Sequence, residues 1–420
     1  MKIETDINRE YNADVTVIGG GTAGVFAAIS AAKSGAKTIL IEKNSMLGGT
    51  LTAGGVNFPG LFFAWGKQII NGPCWEAILR TAQSGGAKLP EITYKPKNHW
   101  EEQITLNPFI YITVLFQMCE ESGVKVICNA MISDCSENED GLDLLITDKS
   151  GLFLIKSKTA IDATGDANLV EIMGYATQKS ESLQPATLRN AITGYNFEDI
   201  AEQEIKEKFK KADFPDYITA EKLIDYLKRH IIDMHTPCYS AETSIGKTEL
   251  EKQALFDMFN VYKFYKSIKG LENLQITYFA NETGVRETKR IIGETVITAE
   301  DYINCIHYPD SVCYAFYPID LHVLNGIEQK FHKENTVSEV PFTALIPKNS
   351  KRILCAGRCI SSDTYANSAL RVEAVCMATG QVAGCAAAIA AKQETDIKNI
   401  CFEELSTTLK NMKCIVPENQ

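Results

Sequence analysis

Val15-Thr16-Val17-Ile18-Gly19-Gly20-Gly21-Thr22-Ala23-Gly24 is the stretch from which the rest of this chain is read. A short β-branched run ends in glycines and opens an alanine-rich tract, Ala23 to Lys33, which Gly35 terminates; Thr38-Ile39-Leu40-Ile41 is the next apolar run. Two buried strands joined by a helical crossover make a parallel βαβ unit. Gly19, Gly21 and Gly24 stand in the spacing G-x-G-x-x-G. The first permits a tight turn, the second lets backbone approach a pyrophosphate, and the third allows close helix–strand contact. Thr22 and Ala23 then fall at a helix start, whose free N–H groups and dipole favour phosphate. Glu42 ends the second strand eighteen residues after Gly24, where a carboxylate can accept the hydroxyl hydrogens of an adenosine ribose. Its neighbour Lys43 belongs to the same expected contact. Gly49 and Thr50, in Gly48-Gly49-Thr50, read either as a second backbone approach to the ligand or as a plain turn.

Outward from this unit the period shortens. Val124–Ile127, Met131–Cys135, Leu142–Thr147, Leu152–Lys156 and Thr159–Ala163 read as five short strands, separated by turn residues such as Glu139-Asp140-Gly141 and Asp148-Lys149-Ser150-Gly151. They predict a β-meander over residues 124–163, with Met131 beside the nucleotide. Residues 198–235 and 249–269 are charged and helical in pattern, and the lysine-rich run around Lys208 reads as a solvated helix face. Beyond Lys351 the strand-then-helix pattern returns: Arg352-Ile353-Leu354-Cys355-Ala356, a loop, then a small-residue helix from Val372 to Lys392.

Two further signals concern the ligand. Asp162-Ala163-Thr164-Gly165-Asp166 closes the meander, and Ala356-Gly357-Arg358 closes the late strand, followed by Thr379-Gly380-Gln381 in the small-residue helix. With Gly54-Gly55-Val56-Asn57-Phe58-Pro59-Gly60-Leu61-Phe62, Ala64-Trp65-Gly66-Lys67-Gln68, Gly284-Val285-Arg286-Glu287-Thr288-Lys289-Arg290-Ile291-Ile292-Gly293 and Tyr317-Pro318-Ile319-Asp320-Leu321-His322, the chain resembles bacterial FAD-dependent oxidoreductases related to the fumarate-reductase and glutathione-reductase superfamily. The resemblance covers most of the chain but not Ala201 to Asn273. It implies FAD, with Ala163, Thr164, Gly165, Asp166, Gly357, Arg358, Arg371, Gly380 and Gln381 added to the cofactor contacts. The expected fold class is α/β. A Rossmann-like FAD-binding domain with parallel sheet and β-meander would span residues 1–174 and 346–420, and an α+β substrate or cap domain, 175–345, would be inserted between them.

A flavin performs hydride chemistry itself, so the protein must supply a substrate clamp and an acid or base. Arg286 and Arg290 flank Glu287 and read as a carboxylate clamp or as an ion pair. His322, close to Tyr317 and Asp320, is a candidate acid or base, as Tyr317 is itself, although a structural histidine fits equally. His99 invites the same question at a cap contact. Arg358 and Arg371 flank the last loop and are placed to compensate the charge of flavin or pyrophosphate. Cys74 and Cys359 read as small buried hydrophobes.

The remaining pattern excludes more than it assigns. The net charge is −11, which disfavours nucleic acid. No apolar run of about 20 residues is evident, and the first residues lack the apolar stretch of a secretory signal. The thirteen cysteines are scattered, with three residues between Cys355 and Cys359. This argues against zinc ribbons, thioredoxin-type pairs and a disulfide scaffold, and for a reducing cytoplasm. No metal site is expected. A small-molecule substrate is, and a homodimer is the base-rate assembly. The leading function is hydride transfer between a small organic substrate and flavin N5. An NAD(P)H-dependent disulfide reductase and a non-catalytic FAD-binding sensor are the alternatives.

Overall fold

The computed structural model describes residues 7, 9–94, 99–323 and 326–418. Strand β1 (Glu10–Ile18) passes through the glycine turn into helix α1 (Thr22–Lys33), and β2 (Thr38–Glu42) returns parallel to β1, with Val15 opposite Thr38 and Ile18 opposite Ile41. β3 (Lys125–Cys128), β4 (Met131–Glu137), β5 (Leu142–Asp148) and β6 (Gly151–Asp162) complete the order β3-β2-β1-β6-β5-β4. Two details differ from the five-strand meander expected over 124–163. The first run, β3, pairs parallel with β2 at the sheet edge. The last two runs are one twelve-residue strand. Ser157 does not break it, because its hydroxyl accepts from Thr16 Oγ1 at 2.9 Å and donates to Thr159 O at 2.8 Å. The strand changes partners there instead: residues 151–157 pair antiparallel with β5, and 160–162 pair parallel with a later strand.

Within the segment expected as the cap, β7 (Ala186–Thr193) is followed after an intervening stretch by helix α2 (Ala220–Arg229), strand β8 (Ile231–Thr236), helix α3 (Ser244–Lys266) and strand β9 (Gln275–Phe279). Its three strands pair antiparallel in the order β8-β7-β9. A separate apolar cluster, including Leu188, Leu223, Met258, Tyr265 and Ala280, fills the space under the helices. The helical reading of 198–235 therefore ends too late. His230 takes a left-handed conformation (φ +55°) that terminates α2, and from Ile231 every second residue is fully buried, the period of a strand.

After this sheet, β10 (Ile319–Val323) forms a hairpin with residues 326–330. Ile297, Tyr302, Val312 and Leu345 pack into the same large cluster as α1. β11 (Ile353–Cys355) is the late strand beside β6, and helices α4 (Thr364–Leu370) and α5 (Glu373–Gln393) follow. α5 corrects one expectation. With a mean hydropathy of 1.6 over its apolar window it is long and apolar enough to cross a membrane, yet the whole window is buried inside the protein. It lies along α1. A Cβ on Gly380 would sit 2.2 Å from Ala23 O, and one on Gly384 would sit 2.1 Å from Ala27 O. Both helices are rich in small residues because their backbones touch.

Candidate functional site

The carboxyl ends of β1, β2 and β6, the start of α1, the start of α5 and the cap sheet together enclose one cleft of about 1050 Å³. That is at the upper limit of ligand pockets, ~300–1,000 Å³, and offers room for more than one small ligand.

The floor is backbone. Gly19 turns with φ +103°, and a Cβ there would meet Ala163 O at 2.4 Å, so the glycine turn and the Ala-Thr-Gly turn are two sides of one contact. Gly24 lets α1 start directly on that turn, since its Cβ would lie 1.7 Å from Gly19 O. Gly48 N donates to Gly20 O at 2.8 Å, and a Cβ on Gly49 would reach Gly21 Cα at 2.9 Å. Glu42 is buried at the end of β2, accepting from Gly20 N at 2.5 Å and from Asn44 N at 2.7 Å. Burial raises its pKa, against those two hydrogen bonds.

The second turn is organised by Asp162, a fully buried carboxylate. It accepts from Thr164 N, Thr164 Oγ1 and Val170 N at 3.0, 2.7 and 3.0 Å. Arg358 reaches across from the last loop to Gly165 O (2.8 Å), to Asp166 Oδ1 (2.6 Å) and to Val285 O. Thr288 Oγ1 donates to the same Asp166 oxygen at 2.7 Å. Arg358 is thus tied to a carboxylate, and its charge is spent on holding the turn.

The cap side of the cleft is different. Arg286 Nη1 donates to Pro185 O at 2.6 Å and Thr187 Oγ1 at 2.8 Å, and Nη2 faces His235 Nε2 at 3.3 Å. Arg371 Nη2 donates to Gln184 Oε1 at 3.2 Å and Asp320 O at 3.3 Å, while its Nε has no partner. Among the described residues neither guanidinium has a carboxylate within ion-pair distance. Burial, and then the proximity of Arg371, lowers the Arg286 pKa to about 9. Glu287, the carboxylate adjacent in sequence, pairs with Arg290 at 2.6 Å and also accepts from Ser180 and from Gln184 Nε2 at 3.2 Å, and both charged side chains are buried.

Beside the arginines, His322 Nε2 lies 2.9 Å from Asp320 Oδ2, and its Nδ1 is buried without a partner. Gln329 Nε2 donates to the other Asp320 oxygen at 2.8 Å. Burial, then Arg286, lowers the His322 pKa to about 4 against the pull of Asp320. The His235 ring stands edge-on to His322 with centroids 5.4 Å apart. Tyr317 lines the same wall, and burial raises its hydroxyl to about 12.

Of the residues expected from sequence, Gly19, Gly21, Thr22, Ala23, Glu42, Lys43, Gly49, Thr50, Met131, Ala163, Thr164, Gly165, Asp166, Gly357, Arg358, Arg371, Arg286, Tyr317 and His322 all line this cleft. Gly24, Gly380 and Gln381 do not. The glycines serve backbone packing. Gln381 accepts from Cys74 N at 2.9 Å and donates to Asn71 O at 3.1 Å. Cys74 is buried behind it, and its thiol pKa is raised. Cys355 and Cys359 are both buried with their sulfurs 3.1 Å apart, outside the cleft lining. The side chain of His99 lies outside the described residues. Sequence reading missed His235, Gln184 and Glu373. The first was hidden in a tract read as helix, although the alternation from Ile231 was there to find. Glu373 opens α5 in the cleft, where it accepts from Thr22 Oγ1 at 2.6 Å.

Comparison with known proteins agrees with this cradle. Residues 14–409 match the family described as FAD dependent oxidoreductase. Thiamine thiazole synthase of Methanococcus vannielii is 27% identical over 170 residues, 38% of this chain and 59% of that protein. The fumarate reductase (cytochrome) of Shewanella frigidimarina is 44% identical over 78 residues, 18% of this chain and 13% of the relative. The matched stretches thus span less than two thirds of these relatives' lengths. Among solved structures, a geranylgeranyl bacteriochlorophyll reductase-like protein of Thermoplasma acidophilum aligns over 96% of this chain and 84% of its own, at 14% identity and a TM-score of 0.49. The chain belongs to the FAD-dependent oxidoreductase family, and FAD is its cofactor.

Proposed function

We propose that the enzyme acts on a small organic acid, whose carboxylate is held by Arg286 and Arg371 at the cap side of the cleft. The observation that carries this reading is the pair of guanidinium groups facing the cleft without a carboxylate partner among the described residues. Buried charges are normally paired, and Arg presents donors in a fork that matches a carboxylate. A substrate anion supplies the missing partner.

The residues at the other end fit FAD. Gly19 and Gly49 let the two turns close on Ala163 and Gly21, while a Cβ on Gly21 would meet nothing nearer than Gly49 Cα at 3.9 Å, so that glycine leaves open space on the cleft side, and Glu42 stands where ribose hydroxyls can donate to it. Bound there, FAD supplies the two-electron hydride exchange at its N5. The chain's part is to hold the acid, to keep water away under the cap, and to manage one proton.

Arg286→Ala tests the reading. Losing a charged hydrogen-bonding partner costs about 1.5–3 kcal/mol, so kcat/KM should fall roughly 10- to 150-fold, mostly through KM, while FAD stays bound. Unchanged kinetics with acidic substrates would remove Arg286 from the site.

A further inference from the structure

We propose that the acid is a 2-hydroxy acid, oxidised to the 2-oxo acid, and that His322 Nδ1 accepts its hydroxyl proton; this rests on the carboxylate reading above. Three observations converge. His322 gives its Nε2–H to Asp320 at 2.9 Å, which leaves Nδ1 as the lone-pair nitrogen. That nitrogen is buried and without a partner, in a ring that lines the cleft. Gln184 Oε1 accepts from both the backbone N of His322 and Arg371 Nη2, each at 3.2 Å, which ties the backbone that carries the base to the clamp. A carboxylate held by the arginines would bring its α-carbon substituent to the His322 side of the cleft.

The neighbouring charges choose the substituent. The groups facing His322 are Asp320, Arg286, Arg371 and His235. Burial, and then the two guanidiniums, keep the imidazole neutral at ordinary pH, in accord with its pKa near 4. They also repel an ammonium group, which disfavours a 2-amino acid. The neutral ring has no proton on Nδ1 to give, so it serves oxidation rather than reduction. His235 cannot take its place, because its Nε2 already accepts from Arg286.

The step balances. The hydroxyl proton passes to Nδ1, the C–H bond breaks with its electron pair passing as hydride to oxidised FAD, and the C=O bond forms. The substrate loses two electrons, and FAD gains them.

The test mixes holoenzyme anaerobically with both enantiomers of lactate, malate, 2-hydroxyglutarate and mandelate, and with the matching alcohols that lack the carboxylate. Flavin bleaching by a hydroxy acid and not by its alcohol is the expected result. His322→Gln should slow that bleaching about 100- to 10,000-fold. Pyruvate, or the 2-oxo acid of whichever substrate bleaches, should still perturb the flavin spectrum with an affinity within about threefold of the parent. Equal bleaching by His322→Gln overturns the role of His322. Acids that perturb the spectrum without bleaching it overturn the hydroxy-acid assignment. So does dithionite-reduced enzyme that is reoxidised by fumarate or crotonate regardless of His322. If no acid perturbs the spectrum, the carboxylate reading falls, a result separate from the other three.

Discussion

Glu373 offers the sharpest test of the cleft's electrostatics. Its carboxyl opens α5 inside the cleft and accepts from Thr22 Oγ1 at 2.6 Å, with no ion pair among the described residues. Burial raises its pKa to about 7 from 4.5, against the Thr22 hydrogen bond and the fields of Arg358 and Arg371. Linkage fixes the sign. Below the unfolded value the group is protonated in both states and costs nothing. Between about 4.5 and 7 the unfolded chain ionises while the folded one does not, so stability falls with rising pH by about 1.4 kcal/mol per unit. The full cost above pH 7 is about 3.5 kcal/mol. Glu373→Gln keeps the shape and a hydrogen-bonding oxygen but cannot ionise. Its thermal midpoint, compared with that of the parent by calorimetry from pH 5 to 8, should be nearly equal at the acid end. It should lead by about 3–4 °C at the alkaline end for a chain of this size. A difference that stays constant across the range would refute the reasoning, because it would place the ionised carboxylate comfortably in the folded protein.

Other consequences are simpler to state. Gly380→Ala forces a Cβ to within 2.2 Å of Ala23 O; overpacking of this kind costs about 1–3 kcal/mol, and the start of α1 should shift, so a lower midpoint and faster FAD release are expected together. Arg290→Ala strands the buried Glu287 and should cost about 3–5 kcal/mol in stability, with little effect on KM in whatever enzyme folds. Arg286→Ala, four residues earlier, should do the reverse, and matching phenotypes for the two would contradict the separation of roles. Asp166→Ala removes the carboxylate from Arg358, and the expected result is weaker FAD retention measured by flavin fluorescence on dilution.

How much of this was legible beforehand depended on whether the signal was local. The glycine spacing and the Ala-Thr-Gly turn are local backbone requirements and Glu42 a local strand-end one, and all of these but Gly24, which serves packing, fell in the lining of the cleft. The pattern of β6 was harder. Two apolar runs flank a polar pair, and only the change of partner strand explains why both belong to one element. Gly380 and Gln381 sat in a motif read for its cofactor, but the glycine answers to a helix 357 residues away in sequence. His235 was out of reach for a similar reason. Nothing near it in sequence announces that β8 will bring it against Arg286 and His322. Long-range contacts decide side-chain roles, and a single sequence does not print them.

The stretch from Gly284 to Ile291 shows how such contacts assign a role by exhaustion. Gly284 exchanges two backbone hydrogen bonds with Thr187 of the cap sheet, at 2.8 and 2.9 Å. Val285 O receives Arg358. Glu287 and Arg290 hold each other, and Arg290 Nε also reaches Ser362 O at 3.0 Å. Thr288 ties to Asp166, and Ile291 N donates to Cys359 O at 2.9 Å. One short segment therefore fastens the cap, the Ala-Thr-Gly turn and the C-terminal loop to one another. Arg286 sits within it, where the backbone is held from both sides and where the other charged groups of the segment, Glu287, Lys289 and Arg290, each have a partner. A guanidinium placed so rigidly, hydrogen-bonded only to neutral groups, keeps its charge directed at the cleft. Under the proposed function, the same rigidity would give a bound acid its orientation from the protein rather than from its own ordering, which is the condition under which a nearby base can act on a single bond of it.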